Sequence, residues 1–339
     1  MRTLSLRHTA RRVAGKVKRF LNGERARSDR DAPPTPDADG ARQPARITDE
    51  QRLAYERAKG VPLDGRLPTV MLRRARSGAR LGRRLEAARR DGLASSLPAF
   101  APIIEDFIED GVFVVPEYFS ADQCDAMVAE VDRLIEEYPA AVQVASAGSD
   151  ARIFGVENGS PLLREFSEDP TLQRMCELWL GARSDCFFTM ANRIEAAPGN
   201  LGSGAGWHRD SLTNQFKTIV YLTDVDRATG PYQYIRGSQR TEALVRDARA
   251  AGVPTTGNKL SNDQVERLVA EDPGRLLTFD APRGSVIIAD TTGIHRGAPL
   301  ERGVRYALTN YYYPRQRRYE VMTQRFKPFL GVQVPVLDG

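Results

Sequence analysis

The 339-residue chain has only three histidines, three cysteines and two tryptophans, and each scarcity excludes something. Cys124, Cys176 and Cys186 are odd in number and lack CxxC spacing, which argues against a disulfide framework or a zinc cluster and fits a reducing compartment. No apolar run reaches the roughly 20 residues of a membrane-spanning helix, and the N-terminus lacks the roughly 7–15 residue apolar stretch of a signal peptide. The expectation is a soluble, cytoplasmic protein. Basic clusters with interleaved aromatics are also missing, so specific nucleic-acid binding is not expected.

What is present suffices for one sizeable core, since 41% of residues are apolar and the length suits one catalytic domain with appendages. The net charge of +5 is uneven: residues 1–30 hold ten Lys or Arg against Glu24 and Asp29, a net of +8, leaving −3 for the rest. Ala32-Pro33-Pro34-Thr35-Pro36 and the polar stretch to Arg46 cannot pack a core. Residues 1–46 therefore read as a basic, largely disordered tail and linker. Such a tail is either a solvated extension or a peripheral contact with an anionic membrane surface. Residues 47–96 read as a helical extension. Thr48 and Gln51 form a capping box ended by Gly60 and Pro62, and an Arg-rich helix over 73–90 runs up to Gly92.

From residue 97 to 339 the pattern is that of a compact domain. Ile108 to Pro116 predicts a turn feeding a strand, and Ser120 with Gln123 opens a helix whose stripe is Cys124, Met127, Val128, Val131, Leu134 and Ile135. Beyond Asp185 short strands dominate, over 186–195, 215–225, 231–236, 284–289 and 304–313, which implies a β-sandwich or barrel. The segment 241–272 interrupts them with two short helices. It is expected either to cover an active site or to be a surface excursion.

His8 lies in the tail, so imidazole chemistry in the folded body falls to His208 and His295. In Gly206-Trp207-His208-Arg209-Asp210 the imidazole and carboxylate are two residues apart, and on an extended chain they share a face. His295 supplies a third ligand from a distant strand. Two histidines and one carboxylate leave adjacent positions open on a metal, the arrangement with which iron(II) holds a bidentate co-substrate and then O2. A hydrolytic zinc site with water in the open position is the alternative, since structural zinc would want a fourth protein ligand. Arg305, in a β-rich run, needs an anionic partner if buried. The distal carboxylate of 2-oxoglutarate matches its guanidinium fork, and an internal Asp or Glu is the other option.

These residues resemble the phytanoyl-CoA dioxygenase-like family of iron(II)/2-oxoglutarate-dependent oxygenases over roughly residues 100–315. The resemblance runs through Asp110-Gly-Val-Phe-Val-Val-Pro116, Pro198-Gly199, Trp207 to Asp210, Gly230-Pro231, Ile235-Arg-Gly-Ser238, Gly284-Ser285, His295 and Arg305. It implies an α+β protein with a double-stranded β-helix, or jelly roll, core and flanking helices. It further implies a hydroxylase with Fe(II) on His208, Asp210 and His295, and with 2-oxoglutarate and O2 as co-substrates. Arg193 and Lys217 are further candidates for binding co-substrate or an anionic substrate. Asp210 argues against the halogenase variant, in which a small residue vacates that position. Two departures stand out: Arg209 replaces the family's usual Gln, and Arg296-Gly297 replaces a small hydroxyl residue after the distal histidine. The prime substrate is expected to be a small molecule, with saccharide or lipopolysaccharide chemistry suggested by the Gly206–Ser211 form of the clip. A rival reading is a cupin-like domain that binds without catalysis or hydrolyses with another metal.

Overall fold

The computed structural model describes residues 45–46, 88–144, 149–211, 215–252, 258–315 and 333–335. The tail, its linker and the Thr48 capping box lie outside them, apart from the two-residue strand β1 (Ala45–Arg46). Of the Arg-rich stretch, residues 88–96 are helical, so that helix passes Gly92 rather than stopping there.

The remaining elements follow in chain order. They are α1 (Ala101–Asp110), β2 (Val112–Val115), α2 (Ala121–Glu137), β3 (Val142–Val144), β4 (Asp150–Phe154), α3 (Val156–Gly159), α4 (Pro161–Ser167) and α5 (Pro170–Leu180). Then come β5 (Ser184–Glu195), β6 (Phe216–Tyr221), β7 (Tyr232–Ile235), α6 (Thr241–Ala251), α7 (Asn262–Val269), β8 (Leu276–Phe279), β9 (Val286–Asp290), β10 (His295–Gly297) and β11 (Val304–Pro314). The large sheet has the order β1-β3-β4-β5-β11-β6-β9-β2, and the small sheet β10-β7-β8. His208 bridges His295 on one side and Lys259 on the other, so the segment around it extends the small sheet beyond β10. From β5 onward the chain then crosses back and forth between a four-strand block β5-β11-β6-β9 and a facing block of the His208 segment, β10, β7 and β8, with β7 and β8 successive in the facing block. That is the jelly-roll winding, which pairs strands distant in sequence and leaves few free edges.

The alternation of side chains in β11 explains how its two faces differ. Tyr306, Leu308 and Tyr312 point to the helices and join the main core with Phe107, Cys124, Met127, Val131, Leu134 and Trp179. Ala307 points between the sheets, with Tyr221, Tyr232, Tyr234, Ile287 and Ala289, and the period of two places Arg305, Thr309 and Tyr311 on that inner face too. Helix α2 starts at the Ser120–Gln123 capping box and buries Cys124, Met127, Val131 and Leu134. Each large side chain so buried contributes about 1.5–3 kcal/mol. Helix α5 is tied to β9 by Trp179, whose indole N–H donates to Asp290 at 2.9 Å. The two inserted helices form as expected, α7 behind a second capping box of Ser261 and Gln264.

Candidate metal centre

The segment Trp207 to Asp210 runs extended beside β10, and His208 and His295 form a reciprocally bonded antiparallel pair. The N–H of each donates to the carbonyl of the other at 2.9 Å. Directly opposed side chains on such a pair share a face, and the two imidazole centroids are 4.3 Å apart. Asp210, two residues on, returns to the same face, anchored by its N–H to the Thr291 carbonyl at 3.0 Å. Ligand atoms of His208, Asp210 and His295 thereby lie within 4.8 Å of one another. The structure brings together the three residues that the spacing singled out.

Both imidazoles are oriented for metal. Nδ1 of His208 contacts the Gly206 carbonyl at 2.9 Å, and Nδ1 of His295 contacts that of Gly293 at 2.9 Å. A carbonyl oxygen only accepts, so each Nδ1 carries the proton and each Nε2 keeps its lone pair. Those Nε2 atoms face Asp210, at 3.8 Å from Oδ1 and 3.5 Å from Oδ2 respectively. Burial, helped by His295 and Lys259 and opposed by Asp210, holds His208 well below the ordinary imidazole range. The ring is therefore neutral, as a ligand must be. Gly204 makes room for it, because a Cβ there would stand 2.2 Å from His208 Cε1.

Lys217 reaches the centre from β6, with its ammonium 2.7 Å from Asp210 Oδ2 and 3.9 Å above the Tyr311 ring. Burial by itself lowers the lysine pKa, but Asp210 and Tyr311 outweigh it and leave the amine above its usual value. Its observed partner is thus the carboxylate of the triad. Arg305 is 4% exposed, and its Nε has no hydrogen-bond partner among the described residues. Burial pulls its pKa down, Tyr221 and Asp150 act against that, and Arg152 acts with it. Among the described residues Asp150 is the carboxylate whose charge acts on this guanidinium, and it is itself held by Arg152 and Asn192. Arg193 is a correction to the expected site. It pairs in register with Tyr306, one residue out of step with Arg305, so it faces the helix side and forms an ion pair with Glu195 at 2.7 Å.

The odd-numbered residues of the same segment point the other way, and the sequence did not reveal their partners. Trp207 packs with Ile235, Ala251, Val265, Leu268 and Ile294 in a core of its own, much of it from α6 and α7. Arg209 is 4% exposed and donates through Nη1 to the carbonyls of Ser238 at 2.6 Å and Thr292 at 2.5 Å. Its Nη2 lies 3.9 Å from Asp247 of α6, a carboxylate shared with Arg275 at 2.9 Å. Burial lowers the Arg209 pKa to about 10 against the opposing pull of Asp247. The inserted helices therefore pack behind the ligand-bearing segment, not over its ligand face. Arg296 lies over the Trp207 ring at 4.4 Å and donates to Gln233 at 2.8 Å.

A jelly roll with a two-histidine, one-carboxylate donor set and a buried arginine between its sheets has the outline of the iron(II)/2-oxoglutarate-dependent dioxygenases. The model of the phytanoyl-CoA dioxygenase family, PhyH, matches residues 107–300, and the chain belongs to that family. It is similar to an ectoine dioxygenase of Bordetella parapertussis, at 27% identity over 213 residues, 57% of this chain and 68% of that protein. An ectoine dioxygenase of Stutzerimonas stutzeri is 23% identical over 158 residues, 42% of this chain and 51% of its own. Among solved structures, EctD from S. alaskensis with bound Fe is 22% identical, with 62% of this chain and 75% of that chain covered and a TM-score of 0.49. The epimerase SnoN in complex with Fe3+, alpha ketoglutarate and nogalamycin RO is 18% identical, with 64% and 84% covered and a TM-score of 0.49.

Proposed function

We propose that His208, Asp210 and His295 hold the iron(II) and that Arg305 binds the distal carboxylate of 2-oxoglutarate. The outcome is hydroxylation of a small polar organic molecule. The observation that carries this reading is the pair of imidazoles whose Nδ1 atoms are both committed to carbonyls, leaving two Nε2 donors beside one carboxylate. When bound, iron(II) supplies the O2 chemistry that couples decarboxylation of 2-oxoglutarate to succinate with oxidation of the second substrate. The protein's own contribution is placement. Lys217 holds Oδ2 of Asp210 and so fixes the orientation of that carboxylate. Arg305 orients the co-substrate from the opposite sheet, and burial of the site excludes water.

The inner face of β4 and β5 supports a polar prime substrate. There Asn192 donates to Asp150 at 2.9 Å and Arg152 donates to the same carboxylate at 2.8 Å, beside Arg305 in register. We carry a saccharide forward as the class. Succinate release by purified enzyme is expected to require iron(II), O2 and 2-oxoglutarate, and to rise over the uncoupled background with a hydroxylated product among saccharides. Release independent of iron would sink the reading, and stimulation by acyl thioesters alone would sink the saccharide.

Among the described residues no helix is long and apolar enough to cross a membrane. The net +8 of residues 1–30 supports a proposed peripheral contact with anionic lipid. Each Lys or Arg contributes about 1 kcal/mol near such a surface. Full-length protein is expected to sediment with anionic liposomes at low salt, and a chain lacking residues 1–46 to stay in solution. Equal sedimentation of the two would refute it.

A further inference from the structure

The carbonyls of three consecutive residues each hold a different part of the metal centre. That of Thr291 accepts from the Asp210 N–H at 3.0 Å, that of Thr292 from Arg209 Nη1 at 2.5 Å, and that of Gly293 from Nδ1 of His295 at 2.9 Å. Arg209 stands between His208 and Asp210 in the chain, so one short segment grips both strands that carry the ligands. Where those carbonyls point is decided by the turn that contains them.

That turn is built on Asp290, the last residue of β9. Its carbonyl accepts from the Gly293 N–H at 3.0 Å, the i to i+3 bond of a β-turn, and from the Tyr234 hydroxyl at 2.7 Å. Its carboxylate reaches two residues on, where Oδ1 accepts from the Thr292 N–H at 3.0 Å and from the Thr292 hydroxyl, an Asx-type closure. Oδ2 takes the Trp179 indole N–H at 2.9 Å, which fixes the carboxylate from the helix side. Asp290 is only 2% exposed, and a carboxylate buried so completely is costly unless its hydrogen bonds are all made. Gly293 has to be bare, because a Cβ there would stand 1.9 Å from the Tyr234 hydroxyl.

We propose that Asp290 is a positioning residue of the metal centre, acting through its bonds to Thr292 to hold three carbonyls where they orient Asp210, Arg209 and the His295 imidazole. The inference rests on the assignment of His208, Asp210 and His295 to iron(II). It adds a buried carboxylate that itself touches neither metal nor substrate. Groups that hold the far nitrogen of a ligand imidazole fix its tautomer and direction, and losing such support lowers metal affinity about 10- to 100-fold.

Asp290→Asn keeps the shape of the side chain but presents one oxygen and one NH2 group to the Thr292 and Trp179 N–H donors, so one of those contacts becomes donor against donor. Its iron(II) affinity, titrated anaerobically, is expected to fall about 10- to 100-fold. The visible spectrum of cobalt(II) bound in place of iron is expected to change shape, since that spectrum follows ligand geometry. Leu172→Ala, which opens a cavity beneath the helix that carries Trp179, is expected to melt lower and yet keep the parental iron affinity and cobalt spectrum. Thr292→Val removes only the hydroxyl bond to Asp290, is expected to weaken iron binding about 10-fold, and carries the test if Asp290→Asn does not fold. Parental affinity and spectrum in folded Asp290→Asn, or in Thr292→Val where that variant stands in, would overturn the proposal. An equal loss of affinity in Leu172→Ala would overturn it too, because the effect would then be one of general loosening. His295→Ala, measured in parallel, separates the two levels. If it loses iron and Asp290→Asn does not, only the positioning role falls; if it binds iron like the parent, the assignment of the metal site falls and Asp290 with it.

Discussion

The two faces of Trp207–Asp210 are built from one short stretch of chain and answer to different physics. The even face carries His208 and Asp210, whose charge and lone pairs point into a site shared with His295 and Lys217. The odd face carries Trp207 and Arg209, which bury themselves against the inserted helices and the turns at Ser238 and Thr292. Strand periodicity separates the two faces without any extra device. The lesson is that the ligand geometry is held from behind: Arg209 ties the His208 segment to the turn that leads into His295.

The largest expected effects set one face against the other. His208→Ala is expected to abolish succinate formation while leaving the metal-free fold as stable as the parent. Arg209→Met, which leaves the Ser238 and Thr292 carbonyls without their buried donor, is expected to cost about 1–3 kcal/mol of stability for each carbonyl left unbonded and to weaken iron binding about 10- to 100-fold. Denaturant melts and metal titrations of the two variants check this. A fully stable Arg209→Met protein with parental metal affinity would dissolve the distinction.

A somewhat smaller effect tests the inserted helices. Asp247→Asn keeps the shape of the side chain but removes the charge shared by Arg209, Arg246 and Arg275. It is expected to weaken iron binding about 10-fold, as loss of an outer-shell partner does, and Arg275→Met to lower the melting temperature without changing that affinity. If both variants bind iron like the parent, α6 is a packing element with no hold on the centre.

The smallest effect concerns Glu157, a half-buried carboxyl that accepts from the Thr189 N–H at 2.9 Å. Burial pushes its pKa up to about 7, against the opposing influence of the Thr189 N–H and Arg164. A carboxyl whose folded pKa exceeds its unfolded value favours the fold when protonated, so stability falls as pH rises from the ordinary glutamate range through 7. Glu157→Gln should raise stability at pH 8 by up to about 3 kcal/mol, since each tenfold change in proton affinity between the folded and unfolded chain is worth about 1.4 kcal/mol. At pH 4 the substitution should leave stability unchanged. A pH-independent difference in denaturant melts would contradict that.

The ligand face was legible because its chemistry resides in residue type and spacing. Few histidines, a carboxylate two residues from one of them and an arginine in a β-rich run point to His208, Asp210 and His295, which the fold brings together, and to Arg305 as the proposed co-substrate anchor. Strands β2, β5, β6, β9 and β11 of the large sheet were legible for the same reason, through their β-branched and aromatic runs. Arg193 was misplaced because a strand hides its parity: only the pairing of Tyr306 with Arg193 tells which face it shares. The partners of Arg209 depend on register between segments far apart in sequence, which no local pattern encodes. The short strands β3, β4, β8 and β10 escaped too, being three to five residues long and held by their neighbours more than by propensity.

The most direct test of the account is anaerobic addition of iron(II) and then 2-oxoglutarate, read by the visible charge-transfer absorption of the iron–oxo acid chelate. The parent protein is expected to develop the band, His208→Ala, Asp210→Ala and His295→Ala to lack it, and Arg305→Met to need a much higher 2-oxoglutarate concentration. A band of parental intensity and parental 2-oxoglutarate dependence in those four variants would contradict the assignment of the site.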